Sequence, residues 1–178
     1  MIKLEALEQK WIAGVADDQD QCSHGFISFS VGETIFTNRE NGEFTTSGAA
    51  LFLLRSLSSD HTVETSIAQS NMFFPCCAFN PWLVGESNSL MVMGCSDGVD
   101  VSIRHMPGNL VDIEVRGKLV TVAKADWIAA VMAFVRQIEL FYSSSSPKAV
   151  IEDEHDRLGW EAFWLEWQQH TNRYRSAA

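Results

Sequence analysis

Apolar residues recur along this chain with two different periods, and the changes of period mark out strands and helices. Between residues 26 and 37 the alternation is two-fold. Ile27, Phe29 and Val31 fall on one side, Ser28 and Ser30 on the other, and Gly32-Glu33 separates this run from a second one at 34–37. Two β-prone runs around a glycine-bearing turn predict a hairpin with one dry face. Residues 2–7 alternate more weakly and predict a short strand, although Leu4, Leu7 and Trp11 also suit a helix. Residues 89–95, 99–105, 110–115 and 118–122 are four further β-prone runs, punctuated by Ser96-Asp97-Gly98, Pro107-Gly108-Asn109 and Gly117. That spacing predicts an antiparallel meander over 89–122.

Helical spacing appears three times. Residues 47–58 carry Leu51, Phe52 and Leu54 behind serine and threonine caps, predicting a short buried helix. Residues 124–142 place Trp127, Val131, Phe134, Ile138 and Phe141 on one line, predicting a long helix laid on the sheet's dry face. Residues 158–172 put Trp160, Phe163, Trp164 and Trp167 at i, i+3, i+4 and i+7. Each such side chain removes roughly 150–250 Å² from water when buried. A stripe of this kind must therefore close the protein's own core or dock onto a partner. Pro147 ends the long helix, and residues 147–157 form a linker to the aromatic one. Residues 17–21 are an acidic loop, 38–42 a turn, and 44–46 a possible strand extension. Residues 72–79, interrupted by Pro75, suit an edge strand or an irregular buried crossing. The expected fold is α+β in a single domain, 1–178. Its antiparallel β-sheet combines the early hairpin with the 89–122 meander, packed by helix 124–142 and the aromatic helix 158–172.

Composition agrees with a folded domain: 178 residues are 46% hydrophobic and 20% charged. The net charge of −10 is uneven, because residues 40–115 hold nine acids against Arg55 and Arg104. Such a surface repels phosphate and attracts cations, so no direct nucleic-acid binding is expected. The longest apolar run, 127–135, is far short of the ~20 residues of a membrane span, and the first residues lack an apolar leader. No membrane association and a cytoplasmic location are expected, with Cys22, Cys76, Cys77 and Cys95 reduced and serving as packing residues.

Chemical motifs are sparse. Cys22 and His24 form a C-x-H, and Cys76, Cys77 and Cys95 could add thiolates, but paired zinc cysteines usually stand two to four residues apart. No metal site and no cofactor are expected; Cys22 and His24 are the weak metal candidates. Cys95 with His105 on the next strand could form a thiol–imidazole pair for a small hydrolase, although ordinary packing explains both residues. Asp97 with Asp100, or Asp17 with Asp18, could do acid–base work only if one were desolvated. Gly94, Gly98 and Gly108 lack the spacing of a phosphate-binding loop.

Several local sequences carry a resemblance: residues 17–25 (DDQDQCSHG), Leu53-Leu54-Arg55-Ser56-Leu57 with Asp60-His61-Thr62, Pro75-Cys76-Cys77, Gly94-Cys95-Ser96-Asp97-Gly98-Val99-Asp100, and the ending from Phe141-Tyr142 through Pro147-Lys148 to Phe163-Trp164-Leu165-Glu166-Trp167. Together they resemble a family of small acidic bacterial proteins similar to the immunity proteins of contact-dependent inhibition and related polymorphic toxin systems. Where that family often has Cys-Pro-Asn before the glycine, this chain has Cys95-Ser96-Asp97. The resemblance implies a non-catalytic protein that neutralises a cognate protein toxin by occlusion. Acidity fits that role, because a nuclease toxin has a basic cleft. The expected contacts are Asp17, Asp18, Asp20, Asp97, Asp100, Glu152, Asp153, Glu154 and Asp156. The rivals are the Cys95/His105 hydrolase and a homodimeric scaffold joined through the aromatic helix.

Overall fold

The computed structural model describes residues 1–69, 72–76 and 79–175. Strands β1 (Ile2–Lys10), β2 (His24–Val31) and β3 (Thr34–Thr37) form an antiparallel sheet in that order, and the short β4 (Phe44–Thr45) pairs with the start of β2. The expected hairpin is β2–β3, and the weak alternation at the N-terminus is a strand. Its register sets Leu4 opposite Phe29 and Ala6 opposite Ile27. Ile27 and Phe29 are fully buried while Ser28 and Ser30 are partly open, as two-fold alternation requires.

Helix α1 (Thr46–Ser56) follows at once and lies at the centre of the molecule, with every residue from Thr46 to Leu54 buried. A helix that is apolar on all sides has no solvent face to keep. It packs on α2 (Lys124–Ser144), β2, β5 (Phe74–Pro75) and α3 (Glu154–Arg175). The predicted line on α2 is the buried one: Trp127, Val131, Phe134 and Ile138 are inaccessible. This helix crosses β1, where Gln137 Oε1 accepts the Ala6 N–H at 3.0 Å, and its first turns reach the second sheet.

That second sheet is a three-stranded meander, β9 (Ser102–Met106), β10 (Leu110–Val115) and β11 (Lys118–Ala123). The architecture is α+β with antiparallel sheets and a C-terminal helix. The meander, however, starts at 102 rather than 89, and it does not join the early hairpin's sheet. Strand β7 (Ser89–Met93) pairs backwards with β6 (Asn80–Val84), and β8 (Gly98–Val99) pairs with β5. Two local features break the run. Residues 94–97 turn away from β7, and Asp100 leaves the ladder to accept hydrogen bonds at the end of β8. Pro75 sits in a two-residue pairing, where it need not donate to a longer ladder.

The aromatic helix belongs to the core. α3 lies on β6, with Trp160, Phe163 and Trp167 buried and the Phe79 ring stacked between it and α1. Gly159 permits this seam, because a Cβ there would overlap the Pro81 carbonyl. Arg55 of α1 clamps the helix through both Glu166 oxygens, at 2.6 and 2.9 Å, and donates to the Ile67 carbonyl as well. Burial would raise the Glu166 pKa, but the Arg55 and His170 contacts outweigh it and hold the carboxyl down to about 2.

Candidate functional site

Between α2 and α3 the chain runs as an irregular strap, residues 145–153, back across the loop that follows β1. Three contacts fasten it. Trp11 Nε1 donates to Ser145 Oγ at 3.2 Å, the Lys148 ammonium lies 2.9 Å from the centre of the Trp11 ring while donating to the Asp17 carbonyl, and the Ala149 N–H donates to the Asp18 carbonyl at 2.8 Å. Desolvation lowers the Lys148 pKa, and the neighbouring Asp20, Asp17 and Asp18 partly offset this. Beneath the strap, Tyr142 donates to the Gln21 carbonyl at 2.7 Å and stacks edge-on against Trp11. Pro147 denies the segment helical continuation, and the aromatic floor gives its one cation a seat.

Two of the expected acidic segments are thereby joined. Asp17 is exposed and Asp18 half-buried on the loop, and Glu152, Asp153 and Glu154 are exposed where the strap enters α3. Glu152 follows the anchored Ala149 by three residues, so at most about 11 Å of chain separates it from the loop. Lys148, the cation nearest to Asp17 and Asp18, already has partners. The run also has a structural purpose. Asp153 Oδ1 accepts the Asp156 N–H at 3.0 Å, as a helix cap does, and Glu154 and Asp156 occupy the first turn of α3, where the helix dipole favours acids. Asp156 accepts the Trp82 indole N–H at 2.7 Å and is only partly exposed.

The other expected contacts are placed differently. Asp20 is 9% exposed and accepts N–H bonds from Ile12 at 2.7 Å and Cys22 at 3.0 Å, with His24 Nε2 3.4 Å away. Burial opposes its charge, yet the His24 contact and the two N–H bonds outweigh it and keep the carboxyl below its ordinary value. Asp20 therefore staples its loop and offers nothing to a partner, which corrects the sequence expectation. Cys22 points its thiol at the Phe79 carbonyl, 3.4 Å away, and burial pushes its pKa up to about 12. With the thiol turned to Phe79 and His24 turned to Asp20, Cys22 and His24 do not form a ligand pair.

Asp100 accepts the Nε2 proton of His61 at 2.9 Å and backbone N–H bonds from Phe73 and Val101. The His61 bond is the main reason its carboxyl lies below the usual range. His61 Nδ1 accepts from the Ile67 N–H, so both ring nitrogens are engaged and the dyad ties the 61–67 loop to β8. The residues stand 39 apart with no local pattern joining them, and sequence reasoning did not pair them. Asp97 is exposed on the turn before β8, beside Cys76 and Cys95. Cys95 faces Cys76, whereas His105 Nε2 donates to the Ser56 carbonyl at 3.0 Å, so the thiol and imidazole expected to pair have different partners. Cys77 lies outside the described residues.

A groove of about 700 Å³ runs along the outer side of α2, floored by Ala125, Ile128, Met132 and Ala133 and closed by Tyr174. Among the described residues that line it there is no thiol or imidazole. Among the described residues no helix is long and apolar enough to cross a membrane. The aromatic face of α3 is covered by β6, β7 and α1 of the same chain. Comparison with models of protein families, with curated proteins and with solved structures gives no match.

Proposed function

We propose that this protein acts in the cytoplasm by non-catalytic binding, covering the basic surface of a cognate protein toxin of nuclease type and so neutralising it. The observation that carries the reading is the strap. It fastens the loop with Asp17 and Asp18 to the start of α3 with Glu152 and Glu154, through the Ala149–Asp18 main-chain bond and one seated lysine. Asp17, Glu152 and Glu154 are exposed and Asp18 is half-buried on an anchored framework, so little ordering entropy is lost when a cation approaches. Asp153 contributes charge to the same surface while capping the helix. A basic cleft built for phosphates is attracted to such a surface from beyond contact distance, which accelerates encounter and makes it salt-dependent.

The test begins with the reading frames beside this chain's gene: a nuclease toxin domain encoded there supplies the partner, and a neighbourhood without one counts against the reading. Stoichiometric protein is expected to abolish the domain's nuclease activity. The combined variant D17N/D18N/E152Q/E154Q is expected to associate at least about ten-fold more slowly at low salt, with the difference shrinking as salt is raised. Undiminished nuclease activity in the presence of excess protein refutes the neutralising role. Equal association rates for the two proteins refute the acidic surface as its basis.

A further inference from the structure

Among the described residues, one group of side chains has metal-ligand spacing: the donor atoms of Cys76, Cys95 and Asp97 lie within 4.8 Å of one another. Cys76 follows β5, and Cys95 and Asp97 stand on the turn before β8. The pairing of β5 with β8 brings them together across 19 residues of sequence. We propose that these three residues form a binding site for a soft divalent cation of the zinc class.

Distances separate this from a disulfide. The two sulfurs are 3.2 Å apart. Tetrahedral zinc with bonds of about 2.3 Å sets its sulfurs about 3.8 Å apart, whereas a disulfide needs about 2.05 Å. The metal thus asks for an opening of about 0.6 Å, roughly half the closing that a disulfide demands. The carboxylate of Asp97 supplies a third donor, which a disulfide would leave without purpose. The backbone points the same way. Asp97 N–H donates to Cys95 Sγ at 3.4 Å, a bond that favours a sulfur bearing negative charge. The Asp97 carbonyl accepts the Cys76 N–H at 3.1 Å, so one peptide segment positions all three ligands. Gly98 holds that segment against β5, since it has φ 137° and a Cβ there would overlap the Phe74 carbonyl.

Two thiolates and a carboxylate suit zinc or its substitute cobalt over magnesium or calcium, which prefer oxygen alone. Both thiols are half-buried and Asp97 is exposed, so a metal enters from solvent and keeps one face to it. Binding releases the two thiol protons as the two Zn–S bonds form. A metal here ties β5 to the end of β7, closing the base of the β6–β7 hairpin on which α3 rests.

Titration of the reduced, full-length protein with Co²⁺ and then Zn²⁺ tests the proposal. The expected result is one metal per chain, a thiolate-to-cobalt charge-transfer band that Zn²⁺ abolishes, release of about two protons per metal, and protection of Cys76 and Cys95 from alkylation. C76S and C95S should lose the band. D97N, a surface change that leaves the fold intact, should weaken Zn²⁺ binding at least about ten-fold, and C22S should leave it unchanged. A reduced protein that gives no band, or a D97N variant that binds as tightly as the original, overturns the site. So does a Cys76–Cys95 disulfide that forms in glutathione buffer despite saturating Zn²⁺. Circular dichroism of each variant separates lost ligation from lost folding, and a serine variant that fails to fold leaves D97N to decide.

Discussion

The seam between α3 and β6 and the strap that leads into it are neighbours in sequence, yet they are held in opposite ways. The seam is dry: Gly159 lets two backbones touch, Trp160, Phe163 and Trp167 fill the space beside them, and the partly buried Arg55–Glu166 pair ties the same helix to α1. The strap is held by one main-chain bond and by the side chains of Ser145 and Lys148, so its carboxylates remain outside. Burial gives the seam its strength, and the strap uses that strength to hold charges in fixed positions. A perturbation of the seam should therefore cost stability, and neutralising Asp17, Asp18, Glu152 and Glu154, with the Asp153 cap kept, should act mainly on binding.

The largest effect is expected from G159A, whose methyl group has no room at the Pro81 carbonyl. Denaturant unfolding should show a loss of about 3 kcal/mol, with tryptophan fluorescence reporting α3 detached; an unchanged midpoint would break the account of the seam. Next comes E166Q. The folded pKa of Glu166, about 2, lies below its ordinary 4.5. Its contribution is therefore present in full above pH 4.5 and disappears as the pH falls through 2. At pH 7 it amounts to at most about 3 kcal/mol. E166Q should lower stability at neutral pH and flatten the pH dependence between 4.5 and 2. Smaller again is K148M, which removes the cation from the Trp11 face. It should cost about 1 kcal/mol and speed hydrogen exchange at the Ala149 amide, while the amides of α3 keep their protection. The smallest change in stability, within about 0.5 kcal/mol, is expected for D17N/D18N/E152Q/E154Q, the variant with the largest expected effect on association.

Periodic segments were legible in the sequence and pairings across distance were not. The α2 stripe, the β2–β3 hairpin and the aromatic stripe of α3 declare themselves because each needs only its own residues to show a face. The partner of β7 could not be read in this way. β6 is a short run beginning Asn80-Pro81, and proline there conceals a strand whose N–H groups are needed on one side only. Acids posed a related difficulty. Asp20, Asp100 and Asp156 look like Asp17 in a charge profile, but neighbours brought in by the fold donate hydrogen bonds to the carboxylates of the first three and leave Asp17 in water. The strap was legible as an ending, through Pro147, and illegible as a fastening, because its contacts with Trp11 and Asp18 span some 130 residues.

One ring carries a consequence for synthesis. Phe79 rests on Gly48 of α1 on one side and on Trp160 and Phe163 of α3 on the other. As the chain leaves the ribosome, α1 precedes the ring and covers one side of it, while the side that faces α3 stays bare until α3 follows. The nascent polypeptide must carry an uncovered apolar face from the synthesis of Phe79 until α3 is made, where chaperones that shield such faces will find it.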